Sequence, residues 1–210
     1  MRARSALRNF IMWASLAFVV NVFIYFIFGA DYGLEFLGGY IIELSLSVDN
    51  LFLFLIIFTS FNIPISYQKR VLTYGIIGAV ILRFVFIFLG VAIINTFNWV
   101  LYIFGFFLFC SGLKILLNKE EEADFSKSKV LNIMKHFIPV TKELHEEKFF
   151  VKINGLLYAT PLLLILVLIE SSDIIFALDS IPAIFSITTN PYIVYSSNIF
   201  AILGLRSMYF

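Results

Sequence analysis

Glu170-Ser171-Ser172-Asp173-Ile174-Ile175-Phe176-Ala177-Leu178-Asp179-Ser180 places three carboxylates in a run that is otherwise apolar from Leu156 to Ile187. A second stretch repeats the pattern: Glu43-Leu44-Ser45-Leu46-Ser47-Val48-Asp49-Asn50, between Phe36 and Phe58. Setting Asp179 on Asp49 gives an offset of 130 residues and puts Asp173 on Glu43. Both copies read acid, five residues, Asp, then a small polar residue, Asn50 or Ser180. The pattern points to a protein built to hold these acids inside a membrane.

Composition agrees. Of the 210 residues, 61% are hydrophobic and 26 are Phe. Soluble domains are roughly half apolar. The excess is too large for one core of this length and reads as lipid-facing surface. A formal net charge of +1 gives no general attraction to nucleic acid. The single cysteine, Cys110, rules out an intrachain disulfide framework and reads as a small packing residue.

Outward from the two acidic stretches the chain divides into six apolar segments. They run from Ile11 to Phe28, Phe36 to Phe58, Val71 to Ile94, Trp99 to Leu117, Leu156 to Ile181 and Tyr192 to Phe210. Each is near the length a helix needs to cross the hydrocarbon core. Asn62-Ile63-Pro64, Pro182 and Asn190-Pro191 read as breaks. Residues 118–154 form the one long polar stretch, with charges of both signs, and read as a solvated loop containing His136 and His145.

Lys and Arg set the orientation. The N-terminus (Arg2, Arg4, Arg8), the turn at Lys69-Arg70 and the 118–154 loop are basic, whereas the turns near residues 31, 96 and 188 contain neither Lys nor Arg. These two sets alternate across six spans, which predicts a cytoplasmic N-terminus and a cytoplasmic long loop. The acidic stretches then cross in opposite directions, the arrangement of inverted repeats with a midplane site. The expected fold is an all-α polytopic transmembrane bundle forming one domain, 1–210. Its first repeat covers about 36–117, its loop 118–154 and its second repeat about 155–210. Leu82-Arg83 and Leu205-Arg206 echo each other in the span after each motif.

Energetics single out the acids. A charge at a helix centre costs about 2.5–3.5 kcal/mol on the insertion scale, against a gain of about 0.3–0.6 kcal/mol for a large apolar residue. Glu43, Asp49, Glu170, Asp173 and Asp179 therefore need compensation. Arg83 and Arg206 are candidate counter-charges or gates, but two arginines cannot neutralise five acids, and a bound cation is the simplest remainder. On a regular helix Glu43, Ser47 and Asn50 share a face, whereas Asp49 lies about 120° from Glu43. Helical breaks at the motifs would let Asp49 and Asp179 converge with the other acids and would free backbone carbonyls. The donors are then all oxygen, which suits manganese, magnesium or calcium.

Ser-Val-Asp-Asn at 47–50, Asn-Gly-Leu-Leu-Tyr-Ala-Thr-Pro at 154–161, the stretch 170–185 and Ser-Asn-Ile-Phe-Ala-Ile-Leu-Gly-Leu-Arg at 197–206 resemble the TerC family of integral membrane proteins. The resemblance runs from about Leu37 onward. It implies a protein like the bacterial Alx-type members, which are implicated in manganese export, and a chain that is a portion of a longer family protein of about nine spans. Carried over by position, the matching acids are Glu43, Asp49, Glu170, Asp173 and Asp179; with the Asn50 amide they make up the expected metal residues.

The expected function is export of a divalent metal, foremost Mn2+, from the cytoplasm across the bacterial inner membrane. The ion is cargo, and no resident cofactor is expected. There is no nucleophile paired with a base and no phosphate loop, so no enzyme is expected. A different substrate, such as calcium or an oxyanion, is one alternative, although clustered acids would repel an oxyanion. A membrane assembly or metallation partner for exported proteins is another, with the charged loop as contact surface. Expected partners are the lipid bilayer and the metal ion, with a second copy or an exported protein as further candidates and no nucleic acid.

Overall fold

The computed structural model describes residues 2–97, 99–117, 129–141 and 143–208. Residues 118–128 and 142 of the expected loop, and Phe210 at the end of the expected second repeat, lie outside the described residues. The elements are α1 (Arg2–Phe28), α2 (Ala30–Ser60), α3 (Ile65–Thr96), α4 (Val100–Leu117), α5 (Lys129–Phe137), β1 (Phe150–Ile153), β2 (Leu156–Ala159), α6 (Pro161–Phe185) and α7 (Pro191–Ser207).

Four helices, α1, α2, α3 and α6, are long and apolar enough to cross a membrane. α2 alone has 31 residues, about 47 Å of helix. α4 carries a shorter apolar stretch, Val100–Cys110, and α7 has 17 residues. Large apolar side chains such as Phe26, Phe52, Phe106 and Tyr102 point outward, a surface suited to lipid or to other membrane helices. The described residues form an all-α membrane bundle with one small hairpin.

The core is made by four helices. α2 packs chiefly against α7 and α3 against α6, with further contact between α2 and α6 and between α3 and α7. α1 covers α2 and α7, and α4 lies against α6 and α3. Gly39 sets the α2–α7 approach: a Cβ there would stand 2.7 Å from Ser197 Oγ. Small residues at such crossings let backbones close up where lipid supplies no hydrophobic drive.

Two apolar clusters divide this core along its length. One gathers Phe54, Ile57, Phe58, Leu72, Leu162 and Ile165 at the end of the bundle near α5. The other gathers Ile87, Val91, Ala177, Ile184, Phe185 and Val194 toward the opposite end. Along α3 and α6, Arg83 and Asp173 fall between them.

Three expectations need correction. The fifth span begins at Pro161, not Leu156, because residues 156–159 pair with 150–153 in an antiparallel hairpin. Asn154 and Gly155 carry φ of 51° and 82°, the double positive φ that Asn-Gly supplies to a two-residue hairpin turn. Pro161 then opens α6 at a position where its missing N–H costs nothing. Pro182 lies inside α6, which continues to Phe185. The helical breaks expected at Asp49 and Asp179 are absent: α2 runs through Asp49 and α6 through Asp179 without interruption. Away from water an intact helix is the cheapest way to satisfy the backbone. The regular 43, 47, 50 spacing already aims one polar face inward.

The described part of the 118–154 loop is also less solvated than expected. Leu131 is buried, and Val140, Leu144 and Phe149 pack on the first apolar cluster. Arg70 Nη1 reaches Glu147 Oε2 at 3.4 Å, with the guanidinium 5.6 Å from the Phe149 ring centre.

Candidate ion site in the bundle core

Glu43, Ser47 and Asn50 are buried on α2, and Asp173, Ala177 and Ser180 are buried on α6. These two faces are 130 residues apart, position for position. Each presents its polar atoms to the arginine of another helix. The sequence spacing and the packing therefore agree on which face of each helix is polar.

Glu43 is fully buried and fully engaged. Its Oε2 accepts from Arg83 Nη1 at 2.6 Å and from Asn198 Nδ2 at 2.9 Å, while Oε1 accepts from Ser47 Oγ. The same Nη1 of Arg83 donates to Asn198 Oδ1 at 2.6 Å and to Ser180 Oγ at 3.0 Å. Four helices, α2, α3, α6 and α7, meet at this one guanidinium. With its carbonyl on the arginine and its NH2 on the acid, Asn198 can sit only one way round.

The second centre is less complete. Arg206 Nη2 donates to Asp173 Oδ2, and both side chains are buried. The guanidinium also lies 5.1 Å from the Phe54 ring centre. Its Nη1, however, is buried without a hydrogen-bond partner. Both oxygens of Glu170 are likewise buried without a partner, and so is Asn50 Oδ1. A buried polar group left unpaired costs about 1–3 kcal/mol, more for a charged one.

Between the two centres is a cavity of about 10 Å³, the room of one water-sized sphere. Ser47, Asn50, Asp173 and both arginines line it. The lining thus brings together one carboxylate, one hydroxyl, one amide and two cations in a space of monatomic size.

The structure assembles part of the expected residue set. Glu43, Asn50, Asp173, Arg83 and Arg206 all belong to the buried polar layer. Glu170 borders it. Asp49 is exposed and Asp179 half-buried, both turned off the polar faces of their helices. Among the described residues, no three His, Cys, Asp or Glu side chains gather as a metal-holding group. The expected convergence of Asp49 and Asp179 required breaks that the helices do not make. Ser180 and Asn198 join the site although composition did not single them out as ligands. A polar pair, Ser197-Asn198, within an apolar span that ends on Arg206 was the available signal.

Comparison with known proteins places the chain in a family. The integral membrane protein TerC family matches residues 28–210. An uncharacterised membrane protein of Myxococcus xanthus is 49% identical over 199 residues, 95% of this chain and 62% of its own length. A protein of Salmonella typhi, provisionally named membrane-bound redox modulator Alx, is 47% identical over 208 residues, 95% of this chain and 65% of its own. The chloroplastic thylakoid membrane protein TERC of Arabidopsis thaliana is 49% identical over 175 residues, 83% of this chain and 46% of its own. The chain thus spans less than two thirds of the length of these relatives. No solved structure matches it. The chain belongs to the TerC family of integral membrane proteins.

Proposed function

We propose that this chain forms the core of a transporter that exports a divalent cation, foremost Mn2+, from the cytoplasm across the bacterial inner membrane. The observation that carries this reading is the charged layer itself. Glu43, Arg83, Asp173 and Arg206 are buried in a membrane bundle with apolar clusters toward either end, and Arg83, Asp173 and Arg206 line a monatomic-sized cavity. Ionisable groups are kept at such depth chiefly where ions or protons pass. The donors are carboxylate, hydroxyl and amide oxygens, the set that suits a hard divalent ion.

In this arrangement each core acid is held by an arginine. A divalent cation competes with the guanidinium for the same oxygens and draws Asp173 away from Arg206. Asn50 and Ser47, which line the same cavity, supply neutral oxygens. Asp49 and Asp179 lie outside this layer and act as outlying acids that raise the local cation concentration. The equivalent faces 43–47–50 and 173–177–180 support a pair of inverted repeats, and the Lys/Arg bias supports a cytoplasmic N-terminus.

The test is Mn2+ flux into liposomes containing the full-length protein. Wild-type flux that disappears in a folded Asp173→Asn protein supports the reading; equal flux in both refutes it. Orientation is tested by cysteine labelling in intact cells, which reaches substitutions at Thr96 and Thr189 and not at Lys152. Labelling at Lys152 would reverse the orientation.

A further inference from the structure

Resting on that transport reading, we propose that Gly78 is a positioning residue that cradles the Glu170 carboxylate beside Arg206, so that the guanidinium passes from Asp173 to Glu170 when a divalent cation takes Asp173. Glu170 thereby serves as the counter-charge of the cation-bound state and not as a ligand.

Three observations converge. Glu170 precedes Asp173 by three residues on α6, so the two acids sit side by side on neighbouring turns. A Cβ built on Gly78 would overlap Oε1, Cδ and Oε2 of Glu170 together. The entire carboxyl group therefore occupies the space of a side chain that α3 omits. Third, the Gly75 Cβ position one turn away lies 3.5 Å from Arg206 Nη1 and 3.7 Å from Glu170 Oε1. These two buried, unpartnered atoms are thus at most about 7 Å apart, both against a second glycine.

The chemistry follows from the guanidinium fork. Arg carries five donors in a plane and can serve two carboxylates from different edges. Here Nη2 is on Asp173 while Nη1 is free. A divalent ion arriving at Asp173 with Arg206 still in place would put three positive charges against one carboxylate. Moving the guanidinium toward Glu170 gives every charge an opposite neighbour within the bundle, where an unpaired one is most costly. No such second acid is needed at Arg83, which already meets three acceptors.

A double-mutant cycle on the full-length protein tests the cradle and the exchange separately. Gly78→Ala is expected to lower Tm in detergent by on the order of 5 °C, and Glu170→Ala in the same chain is expected to recover that loss, because the collision is with the carboxyl group. Glu170→Gln keeps the shape, folds as wild type, and is expected to lower Mn2+ flux by about tenfold or more. A wild-type Tm for Gly78→Ala, or a Tm loss that persists undiminished beside Glu170→Ala, overturns the cradle. Wild-type flux in Glu170→Gln overturns the exchange. If Gly78→Ala cannot be purified, recovery of a folded protein by adding Glu170→Ala supports the cradle, and failure to recover it refutes the cradle. Absence of Mn2+ flux in the wild type defeats the transport reading and the exchange with it, while the Tm cycle still decides the cradle.

Discussion

Arg83 and Arg206 each follow an acidic motif by one span, and each is buried against a carboxylate from another helix. Their surroundings differ. Arg83 shares one nitrogen among Glu43, Ser180 and Asn198, and Glu43 has both oxygens engaged. Arg206 holds only Asp173 and leaves Nη1 bare, beside an acid with no partner of its own. A saturated network resists rearrangement, because every displaced group loses a partner. An under-satisfied one has somewhere to go. The Arg83 centre therefore fastens four helices together, and in the proposed transport reading the Arg206 centre is where a cation exchanges for the guanidinium.

The sharpest way to break this comparison is to remove one acid from each centre. Glu43→Gln strands Arg83 among neutral groups and is expected to cost about 3–5 kcal/mol, read as lost yield and early unfolding in detergent. Asp173→Asn is expected to cost less stability, about 1–3 kcal/mol, because Glu170 can receive Arg206. Its flux should fall about 100-fold, the equivalent of roughly 2.7 kcal/mol. The two centres would be equivalent, contrary to this account, if both variants lost the same stability.

Smaller effects sharpen the contrast. Asn198→Ala removes a donor to Glu43 and an acceptor from Arg83, and is expected to cost about 1–3 kcal/mol in unfolding experiments. Flux per folded molecule should change much less than in Asp173→Asn. Asp49→Asn and Asp179→Asn lie outside the buried layer. Stability should stay within about 0.5 kcal/mol of wild type, and the Mn2+ concentration for half-maximal flux should rise by up to about tenfold with the maximal rate kept. Complete loss of flux in a folded Asp49→Asn protein would move that acid into the path.

The sequence made some of this legible and hid the rest for physical reasons. Apolar runs of membrane length identify α1, α2, α3 and α6 because lipid-facing helices need no periodicity, only length. The hairpin was masked: residues 156–159 are as apolar as a helix start, and the deciding signal was the Asn154-Gly155 turn. The 130-residue repeat singled out Glu43 and Asp173, and simple helical spacing put Ser47 and Asn50 beside Glu43. The arginines were visible as the only cations in their spans. What spacing alone cannot give is adjacency between helices. That Arg83 meets Asn198 and Ser180, and that Glu170 nests against Gly78, depends on α3 packing against both α6 and α7. Asp49 and Asp179 drew attention by charge, yet the intact helix turns them away from the faces that Glu43 and Asp173 share.

The most direct test of the central claim is Mn2+ binding by the purified full-length protein, followed by the loss of the free-ion electron paramagnetic resonance signal. The account predicts one tightly held Mn2+ per chain in the wild type, none in folded Asp173→Asn, and undiminished binding capacity in folded Asp49→Asn. Equal Mn2+ binding by wild type and Asp173→Asn would contradict it.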